Sequence, residues 1–407
     1  DIQDAIDFSQ DGDTIFVSPG VYFENINFNG KSILVSSNYI EDNDSLLIGV
    51  TIIDAGNEGS VVTFNSGENN NAILQGFTLQ NGNGNDEDPD NNGSFYTYGG
   101  GIYCENSDPL IKDCIIQNNT ANEGGGAGIF CYDSSPIFYG CTIKENETDD
   151  VGGGLYARDG SSPSFFDCIF MDNTAEFGGG CYLKSSSSPL MENVVFMQNN
   201  ANNSGGGIGL KDDANIQASN LTISENLAEG LGGGLYINNA DPTFSFALIV
   251  DNTASSGAGI YIRNNSEIDL TNITLANNNA GLYGGGVYMR DNVTVNFTNS
   301  VLWNNGSNQI YFRSEGAEVE LNVGYSIVEN NQNGVETNNN GDLNWLEGNV
   351  DSEPYFCSSS TGNYFVRENS PCIDGGLNGS LIGCLSAGCG PINLGPVWYV
   401  DSNGDNT

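Results

Sequence analysis

Apolar residues in this chain recur at every second position in short runs, and each run is fenced by glycine or asparagine. Four consecutive segments show the pattern: GGGIYCENSDPLIKDCIIQNNTA, GAGIFCYDSSPIFYGCTIKENET, GGGLYARDGSSPSFFDCIFMDNTA and GGGCYLKSSSSPLMENVVFMQNNA. Glycine clusters begin at Gly99, Gly126, Gly152, Gly178, Gly205, Gly232, Gly257 and Gly284, in steps of 27, 26, 26, 27, 27, 25 and 27 residues. A repeat of this length is too short for two helices, and its β-branched, aromatic and Gly-rich content predicts two or three short strands per unit.

The alternation sets faces. After each glycine cluster the first and third positions are aliphatic or Cys, as in Ile102 and Cys104, Ile129 and Cys131, Leu235 and Ile237, Ile260 and Ile262. The second is aromatic and the fourth is mostly charged or Asn. A period of two sends the first and third inward and the second and fourth outward. Stacked units then pair like with like at about 4.8 Å, which predicts a solenoid filled by ladders of similar residues. A further row supports the register: Asn119, Asn146, Asn173, Asn199, Asn226, Asn252, Asn278 and Asn305. Asn tolerates the left-handed conformation and bonds along a stack, so this row is expected to mark a structural turn.

These segments resemble the right-handed parallel β-helix (pectin-lyase-like) superfamily. GGGLY with FMDN (Phe170 to Asn173) and FMQN (Phe196 to Asn199) is similar to the GGxx and FxxN repeats of chlamydial polymorphic outer-membrane adhesins. The resemblance covers about Gly99 to Asn305 and implies a single-stranded right-handed parallel β-helix solenoid of roughly a dozen coils. The opening IQDAIDFSQDGDTIFVSPGVYFENINF resembles the first coils of secreted bacterial β-helix proteins. It implies a short N-terminal capping helix on Ile2, Ala5, Ile6 and Phe8. Residues 83–98 form an acidic, turn-rich insertion, too polar to stack. The expected layout is a β-helix over residues 1–345, an irregular C-terminal cap over 346–396, and a trailing strand over 397–407. The cap resembles the closing segment of bacterial β-helix domains, which implies local pairing among Cys357, Cys372, Cys384 and Cys389. The pairing pattern stays open. The six other cysteines, Cys104, Cys114, Cys131, Cys141, Cys168 and Cys181, fall in stacked rows and read as small buried hydrophobes.

Composition narrows the function. The chain has 407 residues, 52 acidic against 10 basic, no histidine, and a net charge of −42. Such a charge repels phosphate, so nucleic acid and anionic membranes are excluded as partners. No apolar run reaches membrane-spanning length, so no membrane insertion is expected. No signal-peptide pattern opens the chain, which reads as a mature or trimmed segment of an extracellular or cell-surface protein. The ten cysteines include no CxxC pair and, without histidine, no Cys/His zinc cluster. No organic cofactor is expected. Ca²⁺ is the candidate cation, at Asp401, Asn403 and Asp405 in DSNGDNT or in the acidic insertion, although the closing Glu of a Ca²⁺ loop is missing.

Enzymes of the superfamily include pectate lyases, polygalacturonases and pectin methylesterases. The Gly-His-Gly signature of polygalacturonases cannot occur without histidine. No Arg sits within an evident acidic triad of the lyase kind. GVYFENI (Gly20 to Ile26) is similar to a methylesterase stretch, but the other esterase motifs are absent. Carboxylate acid–base chemistry remains open because Asp and Glu are abundant.

One outer stripe stands out. Tyr103, Phe130, Tyr156, Tyr182, Tyr236, Tyr261 and Tyr288 take the outward second position, and Gly209 interrupts them. Two residues on lie Arg158, Lys184, Lys211, Arg263 and Arg290. Aromatic faces stack on sugars, cations attract carboxylates, and glycine permits close approach, so the stripe is a candidate site for an acidic glycan or for lateral protein contact. The alternative is that the rings stack on one another and on loop stems, while the cations offset Asp133, Asp159, Asp212 and Asp291. Twelve Asn-x-Ser/Thr sites include the glycosylation candidates Asn118, Asn146, Asn202 and Asn292.

The segment Val397, Trp398, Tyr399, Val400 reads as a strand that opens a following β-helix, because WYVDSNG-like strands precede IQDAI-like helices in secreted β-helix proteins. Its expected partner is the N-terminal end, at Ile2 and Ile6, of the next unit in tandem or of another copy. The leading expectation is therefore a structural unit of a head-to-tail filament or surface stalk. A glycan-binding adhesin and a polysaccharide lyase or hydrolase are the alternatives.

Overall fold

The computed structural model describes residues 1–39, 45–88 and 93–391. The chain winds into a parallel β-solenoid. Three long sheets run its length, with 12, 13 and 12 strands, and a fourth of seven strands lies along the middle. In one coil, Ile102–Glu105 belongs to the first sheet, Leu110–Lys112 to the second, Ile115–Gln117 to the third and Thr120–Ala121 to the fourth. The middle coils thus carry four strands, where the sequence pattern predicts two or three. The extra strand is only two residues long in this coil, below the length at which alternation is legible.

The register follows the repeat. Ile102, Ile129, Leu155, Cys181, Ile208 and Leu235 stack in line. Phe138 stacks on Phe165 and Phe170 on Phe196, each pair with ring centroids 4.7 Å apart. Asn119 to Asn305 form a buried ladder between the third and fourth sheets. From Asn119 to Asn278 each side-chain amide donates to the Asn oxygen of the next coil, as Asn173 does to Asn199 at 3.0 Å, and to a carbonyl, as Asn173 does to Ile143 at 2.9 Å, while Asn305 ends the row by donating to Gln309. The left-handed turn expected at this row falls one residue earlier, on Asn118, Glu145, Asp172, Gln198, Glu225, Asp251, Asn277 and Asn304. The ladder Asn itself points inward, where its amide satisfies backbone that would otherwise be buried unpaired.

The capping helix α1 (Ile2–Phe8) closes the N-terminal end. Ile2 and Ile6 are buried in the main core. The Glu24 carboxylate accepts from the Ile2 and Gln3 amides at 2.9 Å each. At the other end, Lys31 Nζ donates to the carbonyls of Ile6, Asp7 and Ser9. An anion at the helix start and a cation at its end satisfy the orphan groups of a helix too short to be stable alone. Phe8, expected on the apolar face, is 88% exposed instead.

Two strands of the insertion, Asn85–Glu87 and Tyr96–Tyr98, pair antiparallel. Tyr98 also bridges to Gly125. The cap folds back on the flank of the third sheet. There Tyr364 Oη donates to Asp251 and accepts from Asn277 Nδ2, and Leu381 and Gly383 accept from Asn272. Cys357 and Cys389 form a disulfide. Cys372 and Cys384, expected to pair as well, are free thiols. Cys372 lies among Val301, Ile327, Val366 and Ile382, in the apolar layer between cap and solenoid. The six remaining cysteines are buried free thiols in the solenoid.

Candidate functional site

The outward aromatic row is the feature the fold treats least as its alternation implies. Its side chains leave the solenoid core as expected, yet they are buried: Tyr103 is 1% exposed, Phe130 0% and Tyr288, the most open, 9%. A second apolar layer covers them. Tyr98, Val151 and Phe177 pack on the Tyr103–Tyr182 half, and Leu231 and Tyr311 on the Tyr236–Tyr288 half. Neighbouring rings lie close, with Tyr156 to Tyr182 at 6.0 Å and Tyr261 to Tyr288 at 4.8 Å. A sugar ring has no open aromatic face to stack on here. The rings stack instead on one another and on loop stems. Burial pushes the phenols up, Tyr156 and Tyr182 strongly and Tyr288 to about 12.

The glycine clusters explain that cover. The first glycine of each turns the chain back over the strand it is about to enter. Gly178 has φ +65°, and a Cβ there would lie 2.4 Å from the Cys181 carbonyl. The third faces inward: a Cβ on Gly180 would meet the Gly207 carbonyl at 2.6 Å. The close approach that glycine permits is therefore backbone on backbone, not backbone on ligand.

The cations of the row edge this covered layer. Arg158 bonds Asp159, and its guanidinium sits 5.8 Å from the Tyr132 ring centre. Arg290 bonds Asp291, which Arg313 also approaches at 3.7 Å, and Lys211 lies 3.9 Å from Asp212. Lys184 stands in register beside Lys211 on the next strand, and among the described residues no carboxylate lies within 4.0 Å of it.

Two adjoining hollows open along this edge. One, of about 390 Å³, is lined by Tyr182, Tyr236, Lys184, Lys211, Arg263 and Asp150 among others. The second, of about 490 Å³, continues past Asp150, Tyr156, Lys184 and Arg158 to Tyr96 and Glu123. Asp150 is shared by both. Desolvation and the neighbouring Asp149 carboxylate push it up to about 6, while Lys184 pulls the other way. It therefore changes charge near neutral pH, a property common in binding and catalytic clefts. Sequence reasoning missed Asp150, because it sits in the variable loop before the glycine cluster, outside any repeat position.

Of the other candidates, Asn118, Asn202 and Asn292 are exposed. Asn146 is fully buried in the ladder, its side-chain oxygen accepting from Asn119 and its amide donating to Asn173, so it cannot carry a glycan. Ile2 and Ile6 fill their own core and offer no surface to a partner. Around them, Phe8 (88% exposed), Phe23 (78%), Val21 (49%) and Phe16 (48%) form the apolar surface of that end. Val397 to Val400, with Asp401, Asn403 and Asp405, lie outside the described residues. Among the described residues no group of three or more metal-binding side chains occurs, and no helix is long and apolar enough to cross a membrane.

The family model for the right handed beta helix region matches residues 90–228 and 206–370, which together span more than half of the chain. The chain belongs to this family. The β-helix is similar to the crystal structure of pectate lyase Pel9A, with 13% identity, 95% of this chain and 90% of that one covered, and a TM-score of 0.48. It is also similar to the A-module of mannuronan C-5 epimerase AlgE4 from Azotobacter vinelandii, with 13% identity, 86% and 94% covered, and a TM-score of 0.46. No curated protein sequence matches it. Neither the family match nor these two structures shows the likeness to chlamydial adhesins expected from the repeat motifs.

Proposed function

We propose that this β-helix is an extracellular structural unit that joins end to end, the strand Val397–Val400 of one unit adding to the outer edge of Thr14–Val17 in the next. One observation carries the reading. Thr14–Val17 and Gly20–Phe23 are edge strands of their sheets, and Phe8, Phe16, Val21 and Phe23 are exposed around them. An open strand edge beside exposed aromatic side chains favours β-augmentation, in which backbone bonds and apolar burial act together. The four apolar residues Val397 to Val400, paired in this way, supply both. The donor is either a tandem unit of the same polypeptide or a second copy.

Analytical ultracentrifugation of the full chain tests this. Concentration-dependent association, lost on deleting residues 397–407 and in the double variant Phe16→Lys/Phe23→Lys, is the result expected for donation between copies. A monomer that binds the free 397–407 peptide, but not in the Phe16→Lys/Phe23→Lys background, is the tandem form. A chain that neither associates nor binds the peptide overturns the proposal.

A second reading, cleavage of an acidic polysaccharide, is favoured by Asp150. Its carboxyl stays protonated to about pH 6 in a groove beside Lys184, which suits a group that gives or takes a proton. Release of reducing ends from polygalacturonate or alginate, abolished by Asp150→Asn, is its signature. The absence of any product removes it.

A further inference from the structure

The inward rows of the second sheet lose their cover at the last coil. Val295 and Leu321 in one row, and Phe297 and Val323 in the other, are at most 1% exposed. Leu343 and Trp345 continue these rows in register but are partly exposed. Their strand, Gly341–Trp345, is the last of the 13-stranded sheet. The Asn340 carbonyl accepts from Val319, and Leu346 donates to the Val323 carbonyl. Alternate residues of a parallel strand bond to opposite neighbours, so the N–H and C=O of Gly341, Leu343 and Trp345 face the open end. Leu346 (54% exposed) and Val350 (40%) stand beside it. At the N-terminal end α1 closes the core. The C-terminal cap leaves its own end open, because it packs on the outer flank of the third sheet, against Val250, Ala276, Val301 and Ile327.

The cap nevertheless aims the chain at this end. Asn363–Arg367 starts with Tyr364 bonded to Asp251 and Asn277. It reaches Val366 against Val301 and Ile327, which belong to the next two coils toward the C-terminal end. Ala387–Cys389 runs parallel to it. The Cys357–Cys389 disulfide and the bond from Arg367 Nη1 to the Gly390 carbonyl fix that course. The residues that follow include Val397, Trp398, Tyr399 and Val400. From Pro391 to Val397 an extended chain reaches up to about 20 Å. A strand added beyond Gly341–Trp345 lies about 10 Å along the axis from the coil of Ile327, well within that reach.

We propose that Val397–Val400 docks on the last coil of its own unit, pairing its backbone with Gly341, Leu343 and Trp345 and covering the side chains of Leu343 and Trp345. An unfinished solenoid end needs both partners for its edge and burial for its apolar rows, and one apolar strand meets both needs. The inference rests on the same reading of Val397–Val400 as a strand that end-to-end joining uses, and it gives that strand a second partner. A strand has two edges. The edge left free after docking is the one offered to Thr14–Val17 of the next unit, so the second sheet passes from unit to unit through a shared strand. Docking itself needs no second unit. It holds the donor strand extended beforehand, which lowers the entropy lost on joining.

Hydrogen exchange read by mass spectrometry tests the proposal. The full chain, the chain lacking residues 397–407 and the Phe16→Lys/Phe23→Lys chain are compared at a dilution where sedimentation shows single units. The amides of Gly341, Leu343 and Trp345 are expected to exchange at least about tenfold more slowly in the full chain than in the shortened one, and equally slowly in Phe16→Lys/Phe23→Lys. The strand Val319–Gly324 should stay protected throughout. Adding the free 397–407 peptide to the shortened chain should restore the protection. Leu343→Lys in the shortened chain should prevent that rescue while Val319–Gly324 stays protected. Equal exchange over 341–345 in the full and shortened chains overturns the proposal. Protection that is lost in Phe16→Lys/Phe23→Lys, or that appears only when units associate, comes from a neighbouring unit: end-to-end joining then stands and docking on the own end falls. Protection in a chain that never associates supports docking and removes joining between copies.

Discussion

Replacing Asn199 with alanine is expected to destabilise the protein by roughly 3–5 kcal/mol, a large effect for one polar side chain. Asn199 is fully buried. Its amide donates to the Phe170 carbonyl and to Asn226 Oδ1, both at 3.0 Å. Its oxygen accepts from the Asn173 backbone at 3.1 Å and side chain at 3.0 Å. Alanine removes all four bonds; the Phe170 carbonyl and the Asn173 backbone N–H lose the side-chain partner they have here, while Asn173 Nδ2 keeps Ile143 and Asn226 Oδ1 keeps the Asn199 backbone amide. An unsatisfied buried group costs about 1–3 kcal/mol, and water cannot reach these through a closely packed stack. Because coils touch only their neighbours, the loss should also split the unfolding transition near this coil. Urea titration followed by circular dichroism reads both effects. Asn202→Ala, three residues away and exposed, should stay within about 0.5 kcal/mol of the parent. If the two variants unfold alike, the ladder does not hold the coils together.

The second large effect is expected at Gly178. The residue sits at φ +65°, and an added Cβ would lie 2.4 Å from the Cys181 carbonyl and 2.7 Å from Tyr182 Cβ. Alanine must carry the left-handed strain of about 1–2 kcal/mol and also push the returning loop off its strand. The loop cannot give locally, because Gly178 donates to Ser204 O in the next coil and Gly179 to Gly205 O. A loss of about 3 kcal/mol or more is expected. Gly160→Ala separates the two terms. Gly160 has φ +77° but nothing within 4 Å of an added Cβ, so it should lose only the strain, about 1–2 kcal/mol. Equal melting shifts in the two variants would mean that conformation alone, not close backbone approach, selects glycine at the head of each coil.

The same glycines mark the limit of reading this chain from its pattern. A period of two tells which way a side chain leaves its strand, and it placed Ile102 and Cys104 inward and Tyr103 outward correctly. It does not tell what lies beyond the strand. Phe130 meets Tyr98, and Tyr182 meets Phe177, contributed by segments outside the repeated positions. The basic row was legible because it repeats. Asp150 was not, because the loop before each glycine cluster varies in length and composition. Asn146 carried a glycosylation sequon and also a place in the Asn ladder. Only its burial decides that it serves the ladder.

From sequence alone came the coil length, the register, the inward ladders, the recurrence of the asparagine row and the short helix at the N-terminal end. All of these are periodic or strictly local, so spacing encodes them. The tertiary structure decided which outward residues are covered, which of Cys357, Cys372, Cys384 and Cys389 pair, and that Ile2 and Ile6 close their own core. Each of these depends on segments far apart in the chain meeting in space, and residue spacing carries no record of that.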